Sequence, residues 1–321
     1  MKIIKHKYFL SLIIGFALLF NLSQSSFADE YQLDTHFCFG NSKHVMIEGR
    51  IIEKRFEAKS TSASDGVFKN IWVKLNQFFN DEEDNEVVYV SILNQLHKTQ
   101  TDDEGYFRFN LKFKQLLKSG YHPVNIFLKN NKSPTECQLL VVPDTISSGI
   151  ISDFDDTVII SNVTDKIKLL TNTFTKNYVQ REVVEGMASF YQNQLLQNSQ
   201  ANLTPLIFVT GSPRQIHKDI QKFLDLHHFP SNIIITKKLH GDNRDPLLDQ
   251  FAYKTKKIEE IFKLFPQVEF LLVGDDGEKD PEVYQYLQQK YPDQVSEVWI
   301  RQVSTDMNRK KYTGQKYFNH F

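Results

Sequence analysis

Three short apolar runs in this sequence each end abruptly in polar residues, and this recurrence constrains the fold more than any other feature. The first run leads into residues 152–157 (SDFDDT), which carry three carboxylates within four positions. The second leads into residues 210–213 (TGSP), and the third leads into residues 274–277 (GDDG). Apolar runs of this length between turn residues are typical of buried strands in a parallel sheet, and ligands bind beyond the carboxyl ends of such strands. The sequence therefore predicts one site built from three strand ends.

Strand-like and helix-like patterns alternate through the second half of the chain. Apolar residues recur at helical spacing in residues 216–224, 258–265 and 283–291, and further strand-like runs occur at 233–235 and 298–300. This alternation favours an α/β fold with a doubly wound parallel sheet.

The segment directly after the first acid cluster, residues 163–196, also has apolar residues at helical spacing. A small cap inserted here would lie over the site, and its lysines (Lys166, Lys168 and Lys176) would face an anionic membrane surface. An ordinary helix that packs against the core explains the same pattern, and we prefer this interpretation.

The first half of the chain is β-rich and has no catalytic pattern. Short runs of β-branched and aromatic residues, such as 71–75 and 87–92, alternate with turns, such as 81–84 (DEED) and 102–105 (DDEG). Strands of this length and spacing predict a β-sandwich-like domain, which we assign to residues 29–145. The acids of the turns are interpreted as solvated side chains in preference to calcium ligands. This half suggests a binding or positioning role.

Residues 1–28 have the pattern of a secretory signal peptide. Lysines precede an apolar stretch of about a dozen residues, and a small-x-small site ends at Ala28. The stretch is short for a membrane span, so an uncleaved anchor is the less favoured alternative. We therefore expect export to the periplasm or out of the cell.

Composition adds two statements about partners and compartment. The formal net charge of -1 gives no reason to expect a nucleic-acid partner. The only two cysteines are Cys38 and Cys137, and in an exported protein they would form a disulfide. Two buried thiols are the equally weighted alternative, because the sequence does not give the distance between them.

The residue types at the predicted strand ends favour magnesium chemistry on a phosphate ester. Neither acid cluster contains His or Cys, so oxygen ligands for Mg²⁺ are expected, with Asp153 and Asp275 as candidates. A carboxylate beside Mg²⁺ can also act as a nucleophile that forms an aspartyl-phosphate. Asp155 follows Asp153 by two positions, which places both side chains on one side of an extended segment. Asp155 is therefore the candidate general acid and base.

Three further motifs are predicted to serve the same site. The hydroxyl of Thr210 is expected to hold phosphate oxygens, while Ser212 and Pro213 have the pattern of a helix N-cap followed by the first helical residue. Lys254 and two further lysines open a helix pattern, where cations oppose the helix dipole, so one of them is expected to serve phosphoryl transfer. Asp280, which precedes a proline, is expected to cap a helix, to support the metal, or to do both.

The order of these motifs resembles the four motifs of the haloacid-dehalogenase phosphatase superfamily. The matching positions are Asp153-x-Asp155-x-Thr157, Thr210, Lys254, and Gly274-Asp275 with Asp280. In finer detail, residues 148–303 resemble the phosphatidate phosphatase catalytic domain first known from actin-patch proteins, which has many bacterial relatives. The segments SDFDDT, TGSP and GDDGEKDPEVY carry this resemblance.

The resemblance implies a haloacid-dehalogenase-type phosphatase domain, which we assign to residues 146–321. It implies that Asp153 is the nucleophile and Asp155 the acid and base, and that Thr210 and Lys254 hold phosphate. The implied Mg²⁺ site consists of Asp153, Asp155 through its backbone carbonyl, Asp275 and, as a supporting group, Asp280. The expected substrate-binding residues are Thr157, Gly211, Ser212 and Arg214.

The chain departs from the family pattern at three positions. Gly211 stands where the family often has Asn or Ser, Arg214 where a Trp often follows the proline, and Asp276 where Ser is usual. None of these departures removes a catalytic group. Arg214, however, is expected to add a cation near the mouth of the site and thereby to affect the choice of headgroup.

The sequence thus leads to an exported Mg²⁺-dependent phosphomonoesterase, with phosphatidate as the leading substrate and peripheral membrane contact as its consequence. One alternative is an enzyme of the same chemistry that acts on a soluble phosphoester. Another is a non-catalytic protein that binds phosphorylated ligands. The intact pair of Asp153 and Asp155 disfavours the non-catalytic alternative, because a binding protein has no need of a general acid.

Overall fold

The structure, a computed structural model, describes residues 31–53, 61–67, 69–70, 73, 85–129, 134–160, 176–238 and 249–320. The chain divides into the unit Met1–Tyr31 and the compact unit Gln32–Phe321, which holds the elements discussed below apart from Tyr31, the first residue of the first strand. Three predictions lie wholly or partly outside the described residues: the signal peptide 1–28, the strand 71–75 with the acidic turn 81–84, and the first part, residues 163–175, of the helical segment 163–196. No helix in the described part of the chain has the length and apolarity needed to cross a membrane.

Seven strands of the first half form one sheet. They are β1 (Tyr31–Asn41), β2 (His44–Glu53), β3 (Val87–Ile92), β4 (Gln95–Gln100), β5 (Tyr106–Lys112), β6 (Gly120–Leu128) and β7 (Thr135–Val142). Their order in the sheet is β4-β3-β6-β7-β1-β2-β5. Strands β1 and β7 run parallel, whereas β2 and β5, β3 and β4, β3 and β6, and β6 and β7 run antiparallel.

This single sheet differs from the predicted β-sandwich, which would have two separate sheets. The groups β4-β3-β6-β7 and β1-β2-β5 are joined by a short parallel pairing, in which Phe39 lies opposite Leu140 and Asn41 opposite Val142. The edge strands β4 and β5 contact each other, so the sheet nearly closes on itself. The sequence pattern of a single strand does not predict the pairing of β1 with β7, because the paired residues are about a hundred positions apart in the chain.

A disulfide strengthens this same junction. Cys38 of β1 and Cys137 of β7 are bonded, with their Cα atoms 6.5 Å apart, and both are buried. Of the two states that the sequence left open for the cysteines, the structure has the disulfide. The bond closes a loop across 99 positions of the chain, so it restricts the unfolded ensemble strongly.

The second half forms a parallel six-stranded sheet with helices between the strands. Its strands are β8 (Ser148–Ser152), β11 (Leu206–Pro213), β12 (Ile233–Lys237), β13 (Glu269–Asp275), β14 (Val295–Arg301) and β15 (Gln315–Phe318). Two short strands, β9 (Ile159–Ile160) and β10 (Glu182–Val183), pair separately. The helices are α1 (Met187–Leu195), α2 (His217–Leu226), α3 (Gln250–Leu264) and α4 (Asp280–Lys290). The mixed α/β class and the parallel sheet agree with the sequence prediction.

The order of the parallel strands determines where a site can form. The order is β12-β11-β8-β13-β14-β15, so the chain proceeds from β8 toward one edge and then, from β13, toward the other. Connections leave β8 and β13 in opposite directions, which opens a crevice at the carboxyl ends of these two strands. The predicted acid clusters follow β8 and β13.

Apolar side chains pack on both faces of the parallel sheet. Ile151 and Ile207 belong to a cluster with α3 and α4, whereas Ile150 and Phe208 belong to a second cluster with α1 and α2. Neighbouring strand residues therefore face opposite sides, as the two-residue period of a strand requires. The first cluster also contains Phe39 and other residues of the seven-stranded sheet, so the two sheets share a hydrophobic core.

Candidate active site at the ends of the central strands

Three buried aspartates meet at the crevice between β8 and β13. Asp153 follows β8, Asp275 ends β13 and Asp280 begins α4, and at most 1% of the surface of each residue is exposed. One carboxylate oxygen from each of them lies within 4.8 Å of the others. The backbone pairing of the two central strands produces this contact, because Ser152 lies opposite Val273 in the register.

Lys254 places one positive charge inside this cluster. Its Nζ lies 2.8 Å from Asp153 Oδ1, donates to Asp280 Oδ1 and lies 3.7 Å from Glu278 Oε2. The side chain is buried, with 1% of its surface exposed. The Lys254 side chain, on α3, thus links the end of β8 to the start of α4.

The charges of the cluster do not balance without a further cation. Burial raises the pKa of Asp153 and of Asp275 well above the ordinary value; Lys254 opposes the shift at both sites and Asp280 adds to it. The pKa of Lys254 is well above its ordinary value, since Asp153 and Asp280 outweigh the effect of burial. Three carboxylates against one ammonium leave an excess of negative charge, and all the available ligand atoms are oxygens. The donor set and its charge fit a hard divalent cation such as Mg²⁺.

Asp155 is held beside the cluster by two hydroxyl groups. Thr210 Oγ1 donates to Asp155 Oδ2 at 2.8 Å, and Ser212 Oγ donates to the same oxygen at 2.7 Å. Thr210 Oγ1 in turn accepts the backbone N–H of Ser212 at 2.9 Å. The end of β11 therefore orients the carboxylate that follows β8. Among the described residues no hydrogen bond reaches Asp155 Oδ1, so this oxygen can exchange a proton with a ligand.

Thr157 and Gly274 shape the space around the aspartates. The Thr157 hydroxyl lies 3.4 Å from Asp153 Oδ2 and 3.4 Å from Asp275 Oδ2, so it links two of the carboxylates. A Cβ atom on Gly274 would lie 2.5 Å from Asp280 Oδ2. Glycine is therefore required here for the close approach of α4 to β13.

Ser212 and Gly211, two of the expected substrate-binding residues, both lie in strand β11. Ser212 does not cap a helix as predicted, because β11 continues to Pro213 and the Ser212 hydroxyl binds Asp155. Gly211 lies in the same strand, where an added Cβ would be 3.4 Å from the side-chain amide of Gln250. Sequence patterns place a strand end only to within a few residues, which explains the error at Ser212.

Arg214 differs most from its prediction as a cation near the mouth of the site. It is buried, its Nη2 lies 3.2 Å from Glu48 Oε1, and its guanidinium lies 5.1 Å from the centre of the Tyr106 ring. Burial opposes ionisation of Glu48, but Arg214, His36 and Arg108 together outweigh it and hold the pKa of this carboxyl far below its ordinary value. Arg214 thus connects the parallel sheet to the seven-stranded sheet.

The helix starts near the site also differ by a few residues from the prediction. Helix α3 begins at Gln250, with Asp249 as its N-cap, so Lys254 lies one turn inside the helix and does not open it. Of the two roles expected for Asp280, the structure does not have the helix cap; its carboxylate accepts the backbone N–H of Asp275 at 3.2 Å and binds Lys254. The helical segments themselves were predicted correctly, and the side chains of Lys254 and Asp280 both face the cluster.

Two groups that contact the site were not among the predicted site residues. The Tyr191 hydroxyl lies 2.6 Å from Ser152 Oγ, directly beneath the first acid cluster, and burial raises its pKa. Glu278 contacts Lys254 and accepts a hydrogen bond from Gln250 at 2.8 Å. Tyr191 has no local motif, whereas Glu278 could have been noticed from its position between Asp275 and Asp280.

Comparisons with known proteins identify the segment that carries these residues. Residues 148–302 match the family model described as phosphatidate phosphatase APP1, catalytic domain. Phosphatidate phosphatase APP1 of Saccharomyces cerevisiae is 31% identical over 162 residues, which cover 50% of this chain and 27% of that protein. An uncharacterized protein of Schizosaccharomyces pombe is 22% identical over 274 residues, which cover 83% of this chain and 44% of that protein.

The chain therefore spans less than half the length of either curated relative. Among solved structures, a carbohydrate acetylesterase from Xanthomonas citri has a TM-score of 0.30 and 9% identity, covering 85% of this chain and 68% of that one. A similarity of this size supports no conclusion about fold or function. The family match contains the aspartate cluster, Lys254 and Thr210, so the whole candidate active site lies in the segment of this chain, residues 148–302, that is similar to the phosphatidate phosphatase APP1 catalytic domain.

Proposed function

We propose that this protein is an exported, Mg²⁺-dependent phosphatase that hydrolyses phosphatidate through an aspartyl-phosphate. The observation that carries the proposal is the buried cluster of Asp153, Lys254, Asp275 and Asp280 with Asp155 beside it, inside the segment that matches the family. The lipid substrate is supported by the family description and by the name of the Saccharomyces cerevisiae relative.

Asp153 is the proposed nucleophile. Its carboxylate attacks phosphorus, the bond between phosphorus and the ester oxygen breaks, and the phosphoryl group becomes attached to Asp153. Lys254 binds Asp153 Oδ1 at 2.8 Å and so fixes the orientation of the attacking group. The ammonium of Lys254 also attracts the phosphate oxygens, whose charge must be stabilised during transfer.

Asp155 is the proposed acid and base. Its Oδ1, which lies opposite the hydroxyl-bound Oδ2, donates a proton to the departing alkoxide of the ester. In the second step it accepts a proton from the water that attacks the aspartyl-phosphate, which releases inorganic phosphate and restores Asp153. Thr210 and Ser212 keep the carboxylate in one position through both steps.

Mg²⁺, when bound by Asp153 and Asp275 with support from Asp280, would neutralise charge on the phosphate oxygens. We also propose that the parallel sheet is of the doubly wound haloacid-dehalogenase type. Its strand order, and the helices on its two faces, support this proposal.

Export and membrane contact are parts of the same proposal. The disulfide between Cys38 and Cys137 supports export, because disulfides persist mainly in oxidising compartments. A phosphatidate substrate would bring the protein to a membrane surface, since both acyl chains of this lipid are anchored in the bilayer.

The proposal is tested by measuring phosphate release from phosphatidate in mixed micelles and from a panel of soluble phosphomonoesters, each with Mg²⁺ or with EDTA. Asp153→Asn is the matched variant, because it keeps the size of the side chain and removes the nucleophile. We expect Mg²⁺-dependent release from phosphatidate that the variant lacks.

Release from soluble esters alone would keep the mechanism and exclude the lipid assignment. Equal release by Asp153→Asn would exclude the aspartyl-phosphate. If the folded wild-type protein released phosphate from none of these compounds, the phosphatase proposal would be wrong.

A further inference from the structure

The chain continues beyond the family match and returns to the candidate active site. We define the C-terminal segment as residues 303–318 and the acid loop as residues 275–282. The segment ends in β15, which pairs in parallel with β14, Gln315 lying opposite Val298. The family match ends at residue 302, so it contains the acid loop and omits the C-terminal segment.

Arg309 of the C-terminal segment binds the acid loop with all three of its guanidinium nitrogens. Nε donates to the Asp276 carbonyl at 2.7 Å, and Nη2 donates to the Glu278 carbonyl at 2.6 Å. Nη1 and Nη2 also bind the two oxygens of the Glu282 carboxylate. The Arg309 side chain is half-buried, and its bond to Glu282 raises the pKa of the guanidinium still further.

Three more hydrogen bonds join the same two parts of the chain. Asp276 Oδ1 accepts the backbone N–H groups of Val303 and Ser304, at 2.6 and 2.7 Å. Gln315 Nε2 donates to the Pro281 carbonyl at 2.8 Å. Asp276 is one of the departures from the family pattern, and these bonds show what its carboxylate does in this chain.

The acid loop carries two of the three clustered aspartates, so its position determines the geometry of the site. Within the loop, the Asp275 carboxylate accepts the backbone N–H of Gly277 at 2.7 Å, and Glu278 contacts Lys254. Arg309 binds the carbonyl groups on either side of Gly277. A shift of these carbonyls would therefore move Asp275 directly, and would move Lys254 through Glu278.

We propose that Arg309 is a positioning residue for the phosphatase reaction: it fixes the acid loop so that Asp275 and Asp280 remain in place for the metal and Lys254 for the phosphate. This inference rests on the proposed function. Lysine cannot take over this role, because it has one nitrogen where Arg309 uses three in a planar fork. Residues that orient the ligands of a metal typically alter metal affinity or activity by about 10- to 100-fold when they are mutated.

The test compares Arg309→Lys and Glu282→Gln with the wild-type protein and with Lys316→Ala. Lys316 lies on the same C-terminal segment, and its ion pair with Glu297 is exposed, so it is the matched control. The measurements are kcat, KM, the Mg²⁺ concentration for half-maximal activity, and amide hydrogen exchange of residues 275–282 in EDTA.

For Arg309→Lys we expect kcat to fall and the half-maximal Mg²⁺ concentration to rise, each by about 10-fold or more, with KM changed far less. In EDTA, exchange in the acid loop is expected to be faster by about 10-fold, with β8 and β11 unchanged. Glu282→Gln is expected to give a smaller effect of the same kind, and Lys316→Ala none.

Wild-type kinetics and exchange in Arg309→Lys would overturn the inference, and so would faster exchange throughout the parallel sheet, which indicates a merely structural role. If the wild-type protein hydrolyses no phosphomonoester, the proposed function fails first. The exchange experiment in EDTA then decides whether Arg309 holds the acid loop, since it requires neither substrate nor metal.

Discussion

Replacing Asp275 by Asn is expected to stabilise the metal-free protein and to abolish its response to Mg²⁺. Asn keeps the size of the side chain and an oxygen that can accept the Gly277 N–H, as Asp275 Oδ1 does at 2.7 Å. It removes one of three buried carboxylates, whose clustered oxygens lie within 4.8 Å of one another.

The magnitude follows from the charges in the cluster. Two unit charges 4.8 Å apart repel by about 3.5 kcal/mol at an effective dielectric constant of about 20. Asp275 is repelled by two carboxylates and attracted by Lys254, so the net repulsion corresponds to roughly one such pair. Burial raises the pKa of Asp275, and partial protonation relieves some of the repulsion. We therefore expect a gain of about 1–3 kcal/mol in the free energy of unfolding at pH 8 in EDTA.

The assay is urea unfolding of the wild-type protein and of Asp275→Asn, each in EDTA and in excess Mg²⁺. Mg²⁺ at about 100 times its dissociation constant is expected to stabilise the wild-type protein by about 2.7 kcal/mol and the variant far less. Asp293→Asn, an exposed substitution of the same kind, serves as the control. If Asp275→Asn lost stability in EDTA while the control did not, repulsion among the three carboxylates would not destabilise the metal-free protein, and the charge argument for a cation site would be wrong.

Three further predictions follow from the structure. Gly274→Ala would place a methyl group against Asp280, so we expect a loss of about 1–3 kcal/mol of stability in urea unfolding and reduced phosphatase activity. Replacing both Cys38 and Cys137 by Ser should lower the free energy of unfolding by about 3–5 kcal/mol, measured in the same way. An unchanged free energy of unfolding would show that the disulfide does not stabilise the protein by restricting the unfolded chain. Burial lowers the pKa of His217 well below its ordinary value of 6.5, so the folded state binds fewer protons there than the unfolded state does. Stability should fall by about 1.4 kcal/mol between pH 7.5 and pH 5.5 from this group, and His217→Gln should lose that part of the pH dependence.

The parts of the site that the sequence predicted are those fixed by local pattern. The runs before Asp153, Thr210 and Asp275 are apolar and end sharply, and their carboxyl ends meet because the strands are parallel. Helix segments were recognised from their apolar spacing, which brought Lys254 and Asp280 into the prediction. The structure brings these residues together, although the exact start of each helix differed.

The parts that could not be predicted depend on pairing between distant residues. Strand β4 has a polar sequence and exists because it pairs with β3, and β15 likewise depends on β14. The contact of Ser212 with Asp155 requires β11 to lie beside β8, and the contact of Tyr191 with Ser152 requires α1 to cover β8. None of these pairings produces a periodic pattern of residues in the amino-acid sequence.

The seven-stranded sheet, which the sequence interpreted as a separate domain, is joined to the parallel sheet near the candidate active site. Arg214, directly after the strand that carries Thr210 and Ser212, pairs with Glu48 of β2. Lys238, directly after β12, contacts the acidic turn at Asp102. Both partners of the Arg214–Glu48 pair are buried, and a buried ion pair that loses one partner typically costs about 3–5 kcal/mol.

Hydrophobic contacts also join the two sheets. Phe39 and Leu140 of the first sheet lie in one core with Ile207 of the second, so separating the sheets would expose apolar surface on both. In the acid turn at 102–104, Asp103 is exposed, as predicted for a solvated turn, while Asp102 and Glu104 contact Lys238 at the end of β12. The first sheet therefore helps to position the ends of β11 and β12, although it lies outside the segment that the family match defines.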